Sequence, residues 1–356
     1  MKKKITLTVA MIAITWIILE VIASAFLFHY YKEFIPEMSK ERESSVMLLI
    51  RKMHVRHVLK INKITTLTKS EPSPLYVYDS VHGYTIKPGV YKQTYMKWDY
   101  PKSKPFTFKI TILEDGSRFV GTRELEKGAG KTNIQIYGDS HIFGEGVNDE
   151  QTFAYLLQQK HPNTHVRLFA IGGYSLSNAY IDFQKIKFKL TEKDIVILGY
   201  GDYYRRRHVA SPKRLKEYGK KMAHFSSSPK HVRVELDDSG NLKFGLVPLF
   251  CEDSVQYCEQ KEPEEDYMNR VSAKLINEIA KNTRAKVYLL FISGSKSDPL
   301  LKMLDPSITV VSGLSEDIDY EFQDVIMDYD KHPGPYWHYT MFSQIHDQIS
   351  KHLYKK

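Results

Sequence analysis

A serine placed directly after a predicted strand, with an aspartate and a histidine far downstream, supplies the residue types that nucleophilic attack on an ester requires. These residues are Ser140, Asp330 and His332. A serine hydroxyl is a poor nucleophile at neutral pH, because it needs a base to take its proton and a third group to hold that base in the right tautomer. The pattern therefore predicts an acyl-serine intermediate, with His332 as the base and Asp330 as the group that orients it.

The segment before Ser140 predicts how the chain presents this side chain. Residues 133–137, Asn-Ile-Gln-Ile-Tyr, are typical of a buried strand, and they run into a turn that contains Gly138. In open α/β folds the sites lie at the carboxyl edge of the sheet, where such a strand ends. Ser140 is therefore expected at that edge.

Two sequence blocks carry a family resemblance. Gly138-Asp139-Ser140, followed by Phe-Gly-Glu-Gly-Val at residues 143–147, resembles block I of the SGNH (GDSL) hydrolases. The pattern Asp-x-His-Pro-x-Pro-x-x-His at residues 330–338 resembles their C-terminal block, which supplies the Asp and His of a catalytic triad. The resemblance extends from about Leu75 to the C-terminus. It implies serine esterase or acyl-transfer chemistry, a flavodoxin-like three-layer α/β/α fold with a parallel sheet, and no metal or organic cofactor.

The resemblance also implies an oxyanion hole, of which one part is missing. The family uses the N–H of the nucleophile, here Ser140, and that of a glycine after the second strand, which aligns best with Gly173. Its third donor is an asparagine side chain, and Gly201 stands at that position in Gly-Tyr-Gly-Asp, residues 199–202. Losing one such donor typically costs about 2.7–4 kcal/mol of transition-state stabilisation. Either the Gly201 N–H or a nearby tyrosine substitutes, or the site is slow, or the chain binds without turnover.

Several neighbouring residues are alternatives to the triad or additions to it. The family often has an acidic residue three positions before the histidine, where this chain has Tyr329; Asp330 is the usual alternative and Asp328 a less favoured one. His141 is expected to point away from the site, as the neighbour of a residue on a tight turn usually does. His338 is expected to begin the last helix or to support the site.

Aromatic residues and glycines complete the candidate set. Tyr336 and Trp337, beside the His-Pro turn, either line an acyl or sugar pocket or serve in packing. Gly144 and Gly146 are expected to allow the tight course of the backbone after Ser140.

The N-terminal segment predicts a membrane anchor. Residues 5–27 are almost wholly apolar and follow three lysines, so the run is long enough to span a bilayer with the lysines in the cytoplasm. A cleaved signal peptide is the alternative, because Ala23-Ser24-Ala25 has the small-x-small pattern of a cleavage site. Both alternatives export the rest of the chain, and we expect a single pass of a bacterial inner membrane with the catalytic domain in the periplasm or outside the cell.

The two cysteines and the charge distribution bear on the compartment and the partners. Cys251 and Cys258 either form a small disulfide in an oxidising compartment or remain free thiols, and their surroundings do not predict a metal site. The formal charge is +9, with a basic cluster between residues 205 and 221. Nucleic acid is not expected as a partner of an exported domain. The cluster is either a basic rim that attracts an anionic glycan or lipid headgroups, or the solvated face of an inserted helix.

The predicted organisation has four parts. They are a transmembrane signal anchor over residues 1–30, a juxtamembrane helix and linker over 31–74, a small β-rich segment over 75–130, and an SGNH-like domain over 131–356 with an insertion at 203–265. From about residue 132 strands and helices alternate, which favours a parallel sheet. The predicted strands are residues 133–137, 165–171, 194–198, 286–292 and 308–311, and the predicted helices are 152–160, 177–190, 267–282 and 339–354.

The leading hypothesis is an exported, membrane-tethered serine esterase or O-acyltransferase that acts on carboxylic esters, above all O-acetyl esters, of an envelope or secreted glycan. A second hypothesis is a non-catalytic or weakly active glycan-binding or assembly protein with the same fold. A third is an esterase that acts on lipids at the membrane surface.

Overall fold

The computed structural model describes Thr15 and residues 66–97, 105–121, 131–221, 229–251, 255–294, 297–313 and 332–354. Apart from Thr15, the predicted anchor lies outside these residues, as do most of the juxtamembrane segment and Asp328, Tyr329 and Asp330. Among the described helices, none combines the length and the apolar character that a membrane crossing needs.

The described residues form the following elements. The strands are β1 (Thr66–Glu71), β2 (Tyr76–Asp79), β3 (Gly83–Ile86), β4 (Gly89–Lys97), β5 (Phe106–Ile112), β6 (Thr132–Gly138), β7 (Thr164–Ala170), β8 (Ile195–Gly201), β9 (Lys230–Leu236), β10 (Leu242–Pro248), β11 (Lys286–Ser293) and β12 (Thr309–Ser312). The α-helices are α1 (Ser140–Phe143), α2 (Phe153–Lys160), α3 (Leu176–Ile186), α4 (Tyr204–His208), α5 (Pro212–Lys221), α6 (Val255–Cys258), α7 (Glu265–Lys281) and α8 (Pro335–Leu353). Short 3₁₀ turns occupy Asp149–Gln151, Lys187–Lys189 and Pro299–Met303.

The central sheet has five parallel strands in the order β12-β11-β8-β6-β7. This confirms the predicted α/β class and the parallel sheet. Every residue of β8 is buried, as expected for a parallel strand that is covered on both faces. All five strands run in one direction, so their carboxyl ends share one edge, and β6 delivers the chain to Ser140 at that edge.

Side chains alternate between the two faces of the sheet and meet helices on each. On one face Tyr137, Leu198 and Leu289 pack in one cluster with residues of α3 and α7. On the other face the Tyr288 hydroxyl donates to the carbonyl of Gln348 in α8. The helices of the second face, α2 and α8, also contact β7 and β12, respectively. The sheet therefore lies between two helical layers.

The predicted strands and helices of this domain agree with the structure to within three residues, except at two helix ends. The helix α3 ends at Ile186, four residues before the predicted end, and a 3₁₀ turn follows it. The other exception is the start of the last helix. This helix begins at Pro335, four residues before the predicted start at residue 339. Proline is well suited to the first position of a helix, because its φ is already helical and the missing N–H has no partner there in any case. Tyr336, Trp337 and His338 therefore belong to the first turn of α8.

The chain divides into two compact units, residues 1–69 with 94–106, and residues 70–93 with 107–356. In the first unit the described residues are parts of β1 and β4 and the start of β5. The strand β1 lies within residues 31–74, which the sequence suggested were a helix and linker. The second unit contains the central sheet, the β2–β3 hairpin and the candidate site.

The predicted insertion contains a β-hairpin and a disulfide. Strands β9 and β10 pair in antiparallel register around the Asp237–Gly240 turn. Cys251 and Cys258 are joined by a disulfide that spans the undescribed residues 252–254.

Candidate active site

Ser140 is the first residue of the short helix α1, immediately beyond the carboxyl end of β6. Asp139 forms the N-cap of this helix, and its Oδ1 accepts a 3.0 Å hydrogen bond from the N–H of His141. Ser140 is buried, with a relative exposure of 5%. The strand and the cap together position Ser140 at the edge of the sheet where the sequence predicts it.

The backbone after Ser140 turns sharply. The Ser140 carbonyl accepts hydrogen bonds from the N–H groups of Gly144 (3.0 Å) and Glu145 (2.9 Å). Gly144 and Gly146 have φ values of +84° and +92°, a left-handed conformation that favours glycine. These glycines have the structural role that the sequence predicts for them.

Arg118 holds this turn in place from the interior. Its fully buried guanidinium donates to the carbonyls of Phe143 (2.6 Å), Gly144 (2.8 Å) and Val147 (2.7 Å), and to Oδ1 of Asp149 (2.9 Å). Burial lowers the pKa of Arg118, and the Asp149 carboxylate opposes that shift. The turn that carries Ser140 thus rests on a buried cation, which sequence reasoning did not identify.

His332 lies against the turn that carries Ser140. Its Nε2 is 3.8 Å from Oε2 of Glu145, and its ring centroid is 5.2 Å from that of His141. The fold therefore brings the predicted base to the predicted nucleophile's loop. The predicted orienting group, Asp330, lies outside the described residues, so Glu145 is the carboxylate that the described residues place next to His332.

Asp139, which directly precedes Ser140, is the centre of a buried polar network. Its Oδ2 accepts hydrogen bonds from Nη1 of Arg207 (2.7 Å) and from the hydroxyl of Tyr203 (2.8 Å). Burial raises the pKa of the Asp139 carboxyl. The charges of Arg207 and His141 and the hydrogen bonds to the carboxylate outweigh this effect, so the pKa lies well below its usual range. Asp139 is therefore a carboxylate at neutral pH.

Tyr203 occupies the space beside Gly201. A Cβ atom built on Gly201 would lie 2.5 Å from Cε1 of the Tyr203 ring and 2.8 Å from Oγ of Ser293. An asparagine at position 201 is therefore incompatible with Tyr203 in its present place. Burial and the nearby Asp139 carboxylate raise the pKa of the Tyr203 phenol well above its ordinary value, so the hydroxyl keeps its proton.

The loop between β7 and α3 carries the other predicted oxyanion donor, Gly173, whose φ is +81°. The β2–β3 hairpin packs on this loop, where the Tyr84 hydroxyl donates to the carbonyl of Gly172 at 2.9 Å. A Cβ on Gly172 would lie 2.5 Å from the Tyr76 hydroxyl and 2.9 Å from Oε2 of Glu145. The hairpin and Glu145 thus approach the Gly172–Gly173 turn closely, and a side chain at Gly172 would not fit between them.

His141 does not point away from the site as the sequence suggested. Its ring lies among Tyr203, His332 and Trp337, at centroid distances of 5.8, 5.2 and 6.0 Å. His338 is fully buried in the first turn of α8, where its Nδ1 accepts a 3.4 Å hydrogen bond from the N–H of Phe153. Burial lowers the pKa of His338 to about 3, so this histidine is neutral and supports the helix start.

The two aromatic residues beside the His-Pro turn have different surroundings. Trp337 is buried and packs against His141, whereas Tyr336 is 53% exposed. Tyr339, one turn further along α8, is 56% exposed. An exposed pair of tyrosines therefore follows His332 on the surface.

The basic cluster is only in part a solvated face. Arg207 is buried against Asp139, and Arg205 donates to Glu265 (2.9 Å), Asn269 (3.0 Å) and Asp298 (3.3 Å). The exposed lysines of α5, Lys213 and Lys216, remain as the solvated part. Much of the apparent basic excess next to β8 is therefore balanced by carboxylates within the fold.

Sequence reasoning missed the roles of Arg118, Arg207 and Tyr203. Their carboxylate partners lie between 31 and 68 positions away, so no local spacing indicated them. The sequence did contain one signal, the three consecutive arginines at residues 205–207, which closely follow the buried strand β8. A buried charge without a partner costs much free energy, so arginines at such a position are expected to have carboxylate partners. Among the described residues, no group of three or more His, Cys, Asp or Glu side chains is arranged to hold a metal ion.

No family model matches this chain, and no curated protein matches it. The chain is similar in structure to a member of the lipolytic G-D-S-L family from Veillonella parvula, with 13% identity and a TM-score of 0.36 over 62% of this chain and 99% of the other. It is also similar to the esterase EstA from Pseudoalteromonas, with 13% identity and a TM-score of 0.32 over 63% and 100%. A family two carbohydrate esterase from Clostridium thermocellum shows 11% identity and a TM-score of 0.34 over 62% and 63%.

These neighbours are G-D-S-L lipolytic proteins and carbohydrate esterases. Identities of 11–13% and TM-scores of 0.32–0.36 do not transfer an activity or a substrate to this chain. The function of the site is therefore argued from its own residues.

Proposed function

We propose that this protein is a serine esterase or O-acyltransferase that works through an acyl-serine on Ser140. The observation that carries the proposal is the position of His332, whose ring lies against His141 and Glu145, the residues that flank the Ser140 turn. A serine hydroxyl is activated by a histidine that takes its proton, and the proposal assigns this role to His332.

The proposed reaction has two halves. Ser140 attacks the ester carbonyl while His332 takes its proton, and the backbone N–H groups of Ser140 and Gly173 stabilise the oxyanion. Asp330 orients His332 in this scheme. Collapse of the tetrahedral species releases the alcohol and leaves an acyl-serine, which water hydrolyses in an esterase and a sugar hydroxyl attacks in a transferase.

Two features support a glycan ester as the substrate of an exported enzyme. Tyr336 and Tyr339 expose aromatic rings just after His332, and such rings offer a rigid apolar face for a sugar ring. The disulfide between Cys251 and Cys258 is a bond that persists in oxidising compartments outside the cytoplasm. We propose that residues 5–27 tether the domain to the bacterial inner membrane, with acetylated envelope or secreted glycans as its substrates.

The test is labelling of the full-length protein, in detergent or membranes, with a fluorophosphonate probe and turnover of 4-nitrophenyl acetate. We expect wild-type protein to be labelled, Ser140→Ala to lose both labelling and turnover, and His332→Ala to lose most of each. A matched control is Ser239→Ala, on the exposed β9–β10 turn, which should behave as wild type. Labelling that persists in Ser140→Ala would show that another residue is the nucleophile.

A second candidate function is glycan binding without efficient turnover. The observation that favours it is the Tyr203 ring, which fills the place of an oxyanion-hole amide beside Gly201. If this second function is correct, the wild-type protein should bind acetylated glycan but should not be labelled by the fluorophosphonate probe. Labelling of wild type at Ser140 would exclude it.

A further inference from the structure

His141 faces the same space as His332. The His141 ring is 5.2 Å from the His332 ring and 6.0 Å from the Trp337 indole. Its side chain is 28% exposed and that of His332 is 20% exposed, so both imidazoles reach the solvent-accessible part of the site. Two histidines therefore lie close together next to the turn that carries Ser140.

A hydrogen-bonded chain fixes which nitrogen of His141 is available. The Tyr203 hydroxyl gives its proton to Asp139, so at 3.3 Å its oxygen accepts from Nδ1–H of His141. The proton therefore sits on Nδ1, and Nε2 is the nitrogen left for a ligand. Oδ2 of Asp139 lies 3.6 Å from this Nδ1.

The glycine at position 201, where the resemblance predicts an asparagine, leaves room for the hydrogen-bonded link from Asp139 through Tyr203 to His141. The Tyr203 ring lies where a side chain on Gly201 would begin, and its hydroxyl is the link between Asp139 and His141. An asparagine at 201 would displace the ring and break the link. The substitution thus removes an amide and supplies a second anchored imidazole.

We propose that His141 is a second catalytic residue, the proton carrier for the leaving alcohol and for the acyl acceptor, while His332 carries the proton of Ser140. This rests on the proposed acyl-serine function. His141 enters the cycle with a proton on each ring nitrogen. In acylation His332 takes the Ser140 proton as the Oγ–C bond forms, and Nε2–H of His141 protonates the alcohol as its C–O bond breaks, which leaves His141 with its Nδ1 proton alone. In deacylation His141 takes the acceptor's proton as the new C–O bond forms, and His332 returns its proton to Ser140. Both histidines are then as they were at the start.

The test uses the leaving group to separate the two histidines. The 4-nitrophenolate ion leaves without a proton, so acylation by 4-nitrophenyl acetate does not need His141, whereas acylation by ethyl acetate does. With the full-length His141→Gln variant we expect a 4-nitrophenolate burst within about threefold of the wild-type rate, and steady-state turnover lower by about 10²-fold or more. Turnover of ethyl acetate should fall by at least as much.

Two further variants complete the design. Tyr203→Phe keeps the ring beside Gly201 and removes the hydroxyl, so it should preserve the burst and slow the steady state. His352→Gln, at the far end of α8, is the matched control and should leave both phases unchanged.

Steady-state turnover of His141→Gln within about threefold of wild type, or an equal slowing of burst and steady state, would overturn the role of His141. Wild-type protein with no burst and no labelling would overturn the proposed function itself, and the role of His141 with it.

Discussion

Nη1 of Arg207 lies 2.7 Å from Oδ2 of Asp139, the carboxylate that directly precedes Ser140. The same nitrogen lies 2.9 Å from the Tyr174 carbonyl in the loop after β7. One buried guanidinium group therefore ties together the ends of two strands that bound the site, β6 and β7. The link joins Asp139, the residue before Ser140, to the loop of the predicted oxyanion glycine.

We expect Asp139→Asn to lower the free energy of unfolding by about 3–5 kcal/mol, because it leaves the Arg207 cation buried without its charge partner. Arg207→Met should destabilise by a similar amount. The double variant should lose less than the sum, since neither buried charge is then left alone. Urea unfolding of the four proteins measures the coupling, and additive losses would show that the two groups do not stabilise each other.

Gly201→Asn should not restore a family-type oxyanion donor. Its Cβ would lie 2.5 Å from the Tyr203 ring, so we expect the variant to lose about 1–3 kcal/mol of stability through overpacking and to gain no turnover. Gly201→Asn combined with Tyr203→Ala removes that clash and should regain part of the lost stability. Thermal unfolding of the two variants and the wild type measures these differences in stability. If Gly201→Asn alone were as stable as the wild type, the Tyr203 ring would have to move aside at little cost.

His82 should make folding stability depend on pH. Its two ring nitrogens lie 3.0 Å from Asp79 and 3.0 Å from Asp182. Burial lowers the pKa of His82, but the hydrogen bond and charge of Asp182 and the charge of Asp79 outweigh it, so the folded pKa is raised. Protonated His82 therefore stabilises the folded state. This stabilisation is complete at pH values below the pKa of the unfolded state, about 6.5, and is lost as the pH rises through the pKa of the folded state.

We therefore expect His82→Gln to destabilise the protein more at about pH 5.5 than at about pH 9. The measurement is urea unfolding of variant and wild type at both values. Taking the difference between the two proteins removes the contributions of the other titrating groups. An equal loss at both pH values would show that the charge on His82 does not contribute.

Arg118→Met should destabilise the protein and slow turnover together. The substitution leaves Asp149 buried without its cation and removes three hydrogen bonds to the turn after Ser140. We expect a loss of about 3–5 kcal/mol in the free energy of unfolding. Arg270→Met, which removes an exposed ion pair within α7, is the control and should cost less than about 1 kcal/mol. A loss from Arg118→Met as small as that of the control would mean that the turn holds without the cation.

Local patterns predicted much of the central fold. Alternating strands and helices indicated the parallel sheet that the structure contains. The predicted start of α8 was wrong, because the preference of proline for the first position of a helix was overlooked, and Pro335 begins this helix. The strand β1 was missed because the sequence favoured a helix and linker before residue 75.

The sequence by itself determined which residues have the chemistry to act, because the types and order of Ser140, Asp330 and His332 can be seen along the chain. Only the tertiary structure decided what surrounds them. His141 turns toward His332, Arg207 is buried in an ion pair, and Tyr203 fills the space beside Gly201. These relationships join residues on different elements, and side-chain direction and packing set them, which spacing along one strand or helix does not encode.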